Sequence, residues 1–218
     1  MVELFAESYR LRLLRSLEDE LGHLGFQSIA GLDEAGRGAL AGPVVAAVYV
    51  PHFDRTVPGV DDSKRLPAAE REALAPVLRE AALAWAVAGV EAPEIDSLNI
   101  LVATRLAMER CLAQLTLLPD LLVLDAIRLP QVRVAQLPVV RGDAVCYAVA
   151  CASILAKVER DDIMTRLDLR YPHYGFAAHK GYGAPEHLAA LAKYGPSPEH
   201  RLTFRSVLPR PAAAGGLC

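Results

Sequence analysis

The chain has 218 residues, of which 53% are hydrophobic and 22% are charged, and its formal net charge is -3 at pH 7. This composition suits one large folded domain, or one domain with an appendage, and it excludes a disordered chain. No apolar run approaches the ~18 residues needed to span a bilayer, and the acid-bearing amphipathic N-terminus is unlike a signal or transit peptide. We therefore expect a cytoplasmic protein with no membrane partner.

The charge is unevenly distributed along the chain. Lysine and arginine number 16 against 23 aspartates and glutamates in residues 1–164, but 7 against 3 in residues 165–210. The later segment also holds four of the six histidines. An acidic front part joined to a basic back part suits metal ions on one side and a polyanion on the other.

Helix and strand patterns alternate along the first half of the chain. Gly25 suits the end of a first amphipathic helix, Pro67 the first turn of a second, and Asn99 the N-cap of a third. Two apolar runs that enclose a glycine-rich turn predict a hairpin. The predicted helices cover 3–24, 67–83 and 99–115, and the predicted strands cover 27–33, 43–50 and 85–92.

The second half begins with a strongly apolar run at 120–127, which is too short for an average helix. It predicts a buried strand that ends near Asp125. The other predicted elements are a strand at 137–140, a long helix at 144–171, a helix near 185–194 and a disordered tail at 209–217. Together these elements predict a mixed α/β core with a helical C-terminal extension. No exposed apolar seam is evident in the sequence.

The four cysteines form no CxxC pair, and no histidine follows them at zinc spacing. The sequence therefore indicates neither a disulfide framework nor a zinc site. We expect all four to be packing residues: Cys111, Cys146, Cys151 and Cys218.

Acidic residues stand at the edges of the predicted elements. Asp33 and Asp125 each end an apolar strand, and Asp143 opens the long helix. Strand ends of α/β sheets are common ligand sites, and carboxylates without nearby sulfur or imidazole favour Mg²⁺ or Mn²⁺. Asp143 could equally be a helix N-cap and Asp125 a solvated strand end. The pattern indicates metal-dependent phosphoryl chemistry.

The pair Asp33 and Glu34 interrupts a segment of small and apolar residues. Neighbouring strand residues point to opposite faces, so bringing both acids to one site requires a break in the backbone. Gly36 and Gly38 could supply that break. Glycines in this segment also indicate a tight turn or the close approach of another backbone.

Seven ordered blocks resemble bacterial ribonuclease HII: GLDEAGRGALAGPVVAAVYV, DDSKRL, LVLDA, GD, ASILAKVERDDIM, YPHYGFAAHKGYG and GPSPEHRLTF. The similarity runs from about residue 27 to residue 207. It implies a ribonuclease H-like mixed β-sheet flanked by helices, with a C-terminal helical appendage. Residues 1–170 would be the catalytic core including the N-terminal helix, and 171–218 a substrate-binding helical appendage with a flexible tail.

The resemblance also implies an activity. The family cuts the RNA strand of RNA/DNA hybrids and nicks duplex DNA 5′ to an embedded ribonucleotide, leaving 3′-hydroxyl and 5′-phosphate ends. It does so by two-metal-ion hydrolysis with Mg²⁺ or Mn²⁺. Carried over by position, the residues that bind the metal and catalyse the reaction are Asp33, Glu34, Asp125 and Asp143.

Other residues receive roles from the same resemblance. The turn Gly36, Arg37 and Gly38 would read the ribonucleotide's 2′-hydroxyl through backbone groups, and Tyr182 would stack on the following sugar. Lys64 and Lys180 are expected phosphate contacts. Asp161 is expected to be structural, paired with an arginine or a helix end. Four residues fall in the basic appendage and are not expected to bind metal: His179, His187, His200 and Arg201. The histidines among them are expected to hold the appendage loops by local hydrogen bonds.

Two positions depart from the family pattern without removing a ligand. Ala39 stands where proline is common, and Ala126 follows Asp125 where bacterial members usually have glycine. Two other functions remain open: a nuclease or strand-transferase acting on DNA alone, and a non-catalytic module that binds hybrids. The related ribonuclease HIII has an N-terminal platform domain, for which the roughly 26 residues before the first predicted strand leave no room.

Overall fold

The computed structural model describes residues 2–208. Met1 and residues 209–218 lie outside the described residues, as do the predicted tail at 209–217 and Cys218. The strands are β1 (Ile29–Ala35), β2 (Val44–Pro51), β3 (Ala82–Val90), β4 (Leu121–Asp125) and β5 (Ala135–Val139). The helices are α1 (Val2–Leu14), α2 (Ser16–His23), α3 (Ala68–Ala81), α4 (Ala92–Leu98), α5 (Ile100–Ala113), α6 (Gly142–Val145), α7 (Tyr147–Arg170), α8 (Phe176–His179) and α9 (Pro185–Tyr194).

The five strands form one mixed sheet in the order β3-β2-β1-β4-β5. Strands β1 and β2 pair antiparallel, which confirms the predicted hairpin, and β2 pairs antiparallel with β3. Strand β4 pairs in parallel with both β1 and β5. Leu32 of β1 lies opposite Leu124 of β4, so the acid that follows each leucine lies at the same end of the sheet.

Helices cover both faces of this sheet. Ala47 and Tyr49 of β2 pack with the buried face of α7, whereas Ala46 and Val48 pack with α5 on the other side. All of β2 is therefore buried, as its unbroken apolar run predicts. Among residues 2–208, no helix is both long and apolar enough to span a bilayer.

The contact between α7 and β1 depends on Gly31. A Cβ atom added there would overlap the backbone of Ala148 and Val149 in α7. This confirms that a glycine of the segment allows another backbone to approach closely. The close approach at Gly31 also places α7 directly over β1, the strand that carries Asp33.

Several element boundaries differ from the predicted ones. Strand β1 continues through Ala35, two residues beyond the predicted end. Strand β3 begins at Ala82, directly after α3, and helix α4 was not predicted. The Asn99 N-cap is confirmed, because its side-chain oxygen accepts hydrogen bonds from the backbone N–H groups of Leu101 and Val102.

Two predicted single helices are broken. The helix predicted at 3–24 divides at Arg15, and the one predicted at 144–171 is interrupted by Cys146, whose backbone is extended. Glu18 explains the second break, since one of its carboxylate oxygens accepts a hydrogen bond from the Ala148 N–H at 2.7 Å. The apolar spacing runs through both breaks, so periodicity does not reveal them.

The described cysteines confirm their predicted packing role. Cys111, Cys146 and Cys151 are free thiols, and all three are buried. The expected lack of an exposed apolar seam is wrong, however. Helix α1 is anchored by the buried Leu11, and its other side exposes a row of apolar side chains at helical spacing: Val2, Phe5, Tyr9 and Leu13.

The buried Glu18 predicts how stability depends on pH. Burial raises its pKa to about 7 from the ordinary value of 4.5. The protonated form therefore stabilises the fold fully below pH 4.5, and this contribution is lost as pH rises through about 7. Glutamine at position 18 does not titrate. The difference in unfolding free energy between Glu18→Gln and wild type should therefore be about 2–3 kcal/mol more in favour of the variant at pH 8 than at pH 5. Urea unfolding at both pH values measures this, and parallel pH dependences of the two proteins would contradict it.

Candidate active site

The acids predicted from the sequence lie at one end of the sheet. Asp33 and Glu34 are near the end of β1, Asp125 is the last residue of β4, and Asp143 is in the first turn of α6. The first three line one cleft of about 250 Å³. Asp143 is not among the residues that line it, because its side chain is only 3% exposed and is covered by Lys64.

The carboxylates repel one another in this position. The pKa of Asp33 lies well above its ordinary value because burial disfavours its charge and the charges of Glu34, Asp125 and Asp143 oppose it further. Burial also raises the pKa of Glu34, and the nearby Arg37 partly offsets this. A cation at this end of the sheet would relieve both effects.

Protein groups occupy some of the carboxylate oxygens. Lys64 Nζ lies 2.8 Å from Asp143, the Gly142 N–H donates to Asp125 at 3.1 Å, and Arg37 lies 3.5 Å from Glu34. Within residues 2–208, no three side chains of His, Cys, Asp or Glu already surround a common point as a bound metal requires.

The donor set nevertheless fits a hard divalent cation. All four candidate side chains are carboxylates, and Glu34 Oε2 is buried without a hydrogen-bond partner. An unsatisfied buried carboxylate oxygen costs free energy that a cation can recover. The site residues therefore match Mg²⁺ or Mn²⁺ better than a thiophilic metal.

The Gly36–Gly38 turn forms another part of the cleft. Gly36 has φ +88°, and a Cβ atom there would overlap the Arg160 side chain, so the fold itself requires glycine. Gly38 has no such constraint, because a Cβ atom would meet nothing within 4 Å. Between them Arg37 is exposed on the surface.

Tyr182 and Lys180 have different positions relative to this cleft. Tyr182 lines it and is 40% exposed, with the Arg160 guanidinium 5.3 Å from its ring centroid. Lys180 is not among the lining residues, and its ammonium donates to the Thr165 hydroxyl at 3.0 Å. The structure thus brings the tyrosine, but not this lysine, to the acids.

Sequence reasoning missed three polar residues of the cleft: Ser63, Ser153 and Lys157. Ser153 and Lys157 are four residues apart on α7, so helical spacing within the ASILAKVERDDIM block could have identified them as one face. Asp161 lies one turn further on and pairs with Lys157 at 2.6 Å and Arg71 at 3.6 Å. Its predicted pairing with an arginine is confirmed.

The histidines of the appendage hold its loops through local hydrogen bonds, as expected. His187 Nδ1 donates to the Tyr182 carbonyl at 2.8 Å, and His187 Nε2 accepts from His200 Nε2 at 2.9 Å. The tautomers follow from His200 Nδ1, which accepts from the Ser197 N–H. Burial lowers the pKa of both rings, that of His200 to about 4, so they remain neutral at pH 7.

The two departures from the family pattern leave the carboxylates in place. Ala39 is fully buried. Ala126 has φ +52°, a left-handed conformation that glycine adopts without strain. This gives a physical reason why glycine is common after the strand-ending aspartate.

Comparison with known proteins agrees with this architecture. Residues 30–207 match the family described as Ribonuclease HII. Ribonuclease HII of Ruminiclostridium cellulolyticum is 47% identical over 198 residues, covering 91% of this chain and 78% of that protein. Ribonuclease HII of Bordetella pertussis is 52% identical over 179 residues, covering 82% and 89%. The crystal structure of ribonuclease H2 from Pyrococcus horikoshii OT3 has a TM-score of 0.72 and 26% identity, covering 83% of this chain and 95% of that one.

The five-stranded mixed sheet, its flanking helices and the acids at one sheet end define a ribonuclease H-like nuclease. The match to the family model and the sequence identity to its members identify the family within this class of nucleases. The chain belongs to the ribonuclease HII family and is a ribonuclease H enzyme.

Proposed function

We propose that this protein hydrolyses the RNA strand of RNA/DNA hybrids and nicks duplex DNA on the 5′ side of an embedded ribonucleotide. The products would carry 3′-hydroxyl and 5′-phosphate ends. One observation carries the proposal: a buried acid, Asp33, and two half-buried acids, Glu34 and Asp125, share a cleft with a glycine turn and a partly exposed tyrosine. The acids suit phosphodiester chemistry, and the turn and tyrosine suit recognition of a sugar.

In this proposal Asp33, Glu34, Asp125 and Asp143 hold two divalent cations, Mg²⁺ or Mn²⁺. Such cations activate a water for in-line attack and stabilise the leaving oxygen. The protein supplies the carboxylates on rigid elements, two of them on paired strands. Lys64, whose ammonium pairs with Asp143 at 2.8 Å, would be available to a substrate phosphate if a cation took its place beside that carboxylate.

The substrate contacts follow from the surroundings of the acids. Backbone groups of the Gly36–Gly38 turn read the 2′-hydroxyl, because the open space beside Gly38 admits a sugar edge. Tyr182 stacks on the next sugar. Arg37 and Lys64 contact phosphates near the cleft, and Lys180 contacts one farther along the duplex.

A nicking assay tests this function. We expect a labelled DNA duplex with one ribonucleotide to be cut 5′ to that nucleotide in Mg²⁺ or Mn²⁺, and to remain intact in EDTA. An all-DNA duplex of the same sequence is the control and should not be cut. Equal cutting of both duplexes would instead indicate a DNA nuclease, and binding without any cutting would indicate a hybrid-binding module.

The proposal extends to the domain organisation, oligomeric state and location of the protein. Residues 1–170 act as the catalytic core, and 171–218 as a substrate-binding appendage whose described part packs on α7. The enzyme acts as a monomer in the cytoplasm. Sedimentation of the purified protein measures its oligomeric state, and the exposed apolar row on α1 is the surface to substitute if a dimer is found.

A further inference from the structure

Arg201 is fully buried in the C-terminal segment. Its guanidinium lies 5.0 Å from the ring centroid of Phe204 and donates hydrogen bonds to backbone carbonyls of the glycine-rich segment. It donates to Gly36 O at 2.8 Å, to Arg37 O at 3.0 Å, and twice to Gly42 O at 2.9 and 3.0 Å. The first two of these acceptors belong to the Gly36–Gly38 turn, which is proposed to recognise the 2′-hydroxyl. One side chain therefore ties the start of the Gly36–Gly38 turn to Gly42, from the opposite part of the sequence.

Arg160 makes the complementary connection from helix α7. It is also fully buried, and it donates to Ala41 O at 3.1 Å, Pro43 O at 3.0 Å and Lys180 O at 2.9 Å. The last of these carbonyls belongs to the loop that carries Tyr182. Arg160 thus joins the exit of the glycine-rich segment to the tyrosine loop, and its own guanidinium lies near the Tyr182 ring.

Neither guanidinium has a carboxylate partner within 4 Å among residues 2–208. Their charges are offset mainly by carbonyl dipoles, and burial lowers the pKa of both groups, that of Arg201 to about 9. Buried charges of this kind are a poor source of stability, since apolar residues of similar volume often stabilise a core as well or better. What they supply is several directed hydrogen bonds from one planar group.

We propose that Arg160 and Arg201 are positioning residues that fix the Gly36–Gly38 turn and Tyr182 relative to each other for recognition of the ribonucleotide. This inference rests on the proposed function and deepens it. Neither arginine touches the substrate. Each acts through carbonyl groups whose displacement would move the turn or the tyrosine away from the sugar, and so move the scissile phosphate away from the acids.

The test uses Arg201→Lys and Arg160→Lys in the full chain. A lysine keeps the charge but cannot reproduce the planar set of donors. We expect kcat on the single-ribonucleotide duplex to fall about 100-fold, as a misplacement of ~1 Å can cause. The Kd for the same duplex in EDTA should change less than about 3-fold, because phosphate contacts dominate affinity.

Arg15→Lys is the matched control. Arg15 is also buried and donates to a backbone carbonyl, that of Arg55 at 3.0 Å, but neither Arg15 nor Arg55 lines the cleft that holds the turn and Tyr182. We expect this variant to lose stability while retaining wild-type kcat at a temperature where it is folded. Hydrogen exchange provides a second readout: amides of residues 36–42 should exchange faster in Arg201→Lys, and those of β2 should not.

The possible outcomes separate this inference from the proposed function. If the wild-type enzyme fails to nick the single-ribonucleotide duplex, the proposed function is wrong. If wild type nicks it and folded Arg201→Lys retains full kcat, the positioning role is wrong. Loss of kcat without faster exchange at 36–42 would also overturn it. If Arg201→Lys does not fold, Arg160→Lys decides by the same criteria, with exchange measured at 180–182 as well.

Discussion

Substituting Asp125 with asparagine is expected to abolish cleavage, and Asp33→Asn should do the same. Each change removes a carboxylate from the end of a central strand while keeping its shape. Loss of metal-assisted stabilisation worth several kcal/mol corresponds to a rate reduction of roughly 10³-fold or more. Initial rates of nicking on the single-ribonucleotide duplex in Mg²⁺ measure the effect.

Binding and stability serve as controls for this loss. Duplex affinity should survive, because the acids repel the phosphate backbone and do not attract it. Asp33→Asn should be as stable as wild type or more stable without metal, since it removes a carboxyl whose pKa is raised by burial and, further, by the charges of its neighbours. Asp19→Asn, at an exposed position of α2, should leave the rate unchanged. Full activity of either site variant would exclude these acids from the reaction.

Alanine substitutions at Gly36 and Gly38 are expected to affect different properties, stability at Gly36 and the nicking rate at Gly38. Gly38→Ala should fold normally, because its Cβ atom meets nothing within 4 Å, but should lower the nicking rate about 100-fold by occupying the space of the sugar. Gly36→Ala should lose about 2–4 kcal/mol of stability, since it combines a positive φ with overlap on Arg160.

Thermal unfolding and nicking kinetics distinguish the two variants. The pair is internally matched, because the same methyl group is added two residues apart in one turn. A Gly38→Ala enzyme with wild-type kcat and KM would show that the substrate does not approach this residue closely. A Gly36→Ala protein as stable as wild type would show that Arg160 moves without cost.

Local patterns were sufficient to predict most of the elements. Apolar runs identified the central strands, and the N-cap at Asn99 marked α5 correctly. The breaks at Arg15 and Cys146 could not be predicted, because apolar spacing continues through both, and the break at Cys146 is accompanied by a tertiary contact. Glu18 reaches the start of α7 from 130 residues away in the sequence.

The candidate site shows the same division. The positions of Asp33 and Asp125 at strand ends could be inferred, but the parallel pairing of β1 and β4, which brings those two strand ends to one edge of the sheet, could not. The ion pair in which Lys64 covers Asp143 could not be predicted, since the two residues are 79 positions apart in the sequence. The roles of Arg160 and Arg201 were also hidden, because a motif identifies a residue but not the carbonyl groups that it contacts.

The buried arginine of the C-terminal segment also has a consequence for the order in which the enzyme is made. Arg201 follows Gly36 by 165 residues, so the ribosome synthesises the turn long before the side chain that restrains it. A growing chain can hold all four acids and the turn while the turn is still unrestrained. We therefore expect nascent chains that end before residue 201 to be inactive on ribonucleotide-containing DNA. Hydrolysis would begin only after the segment that carries Arg201 has been translated and has packed against the Gly36–Gly38 turn.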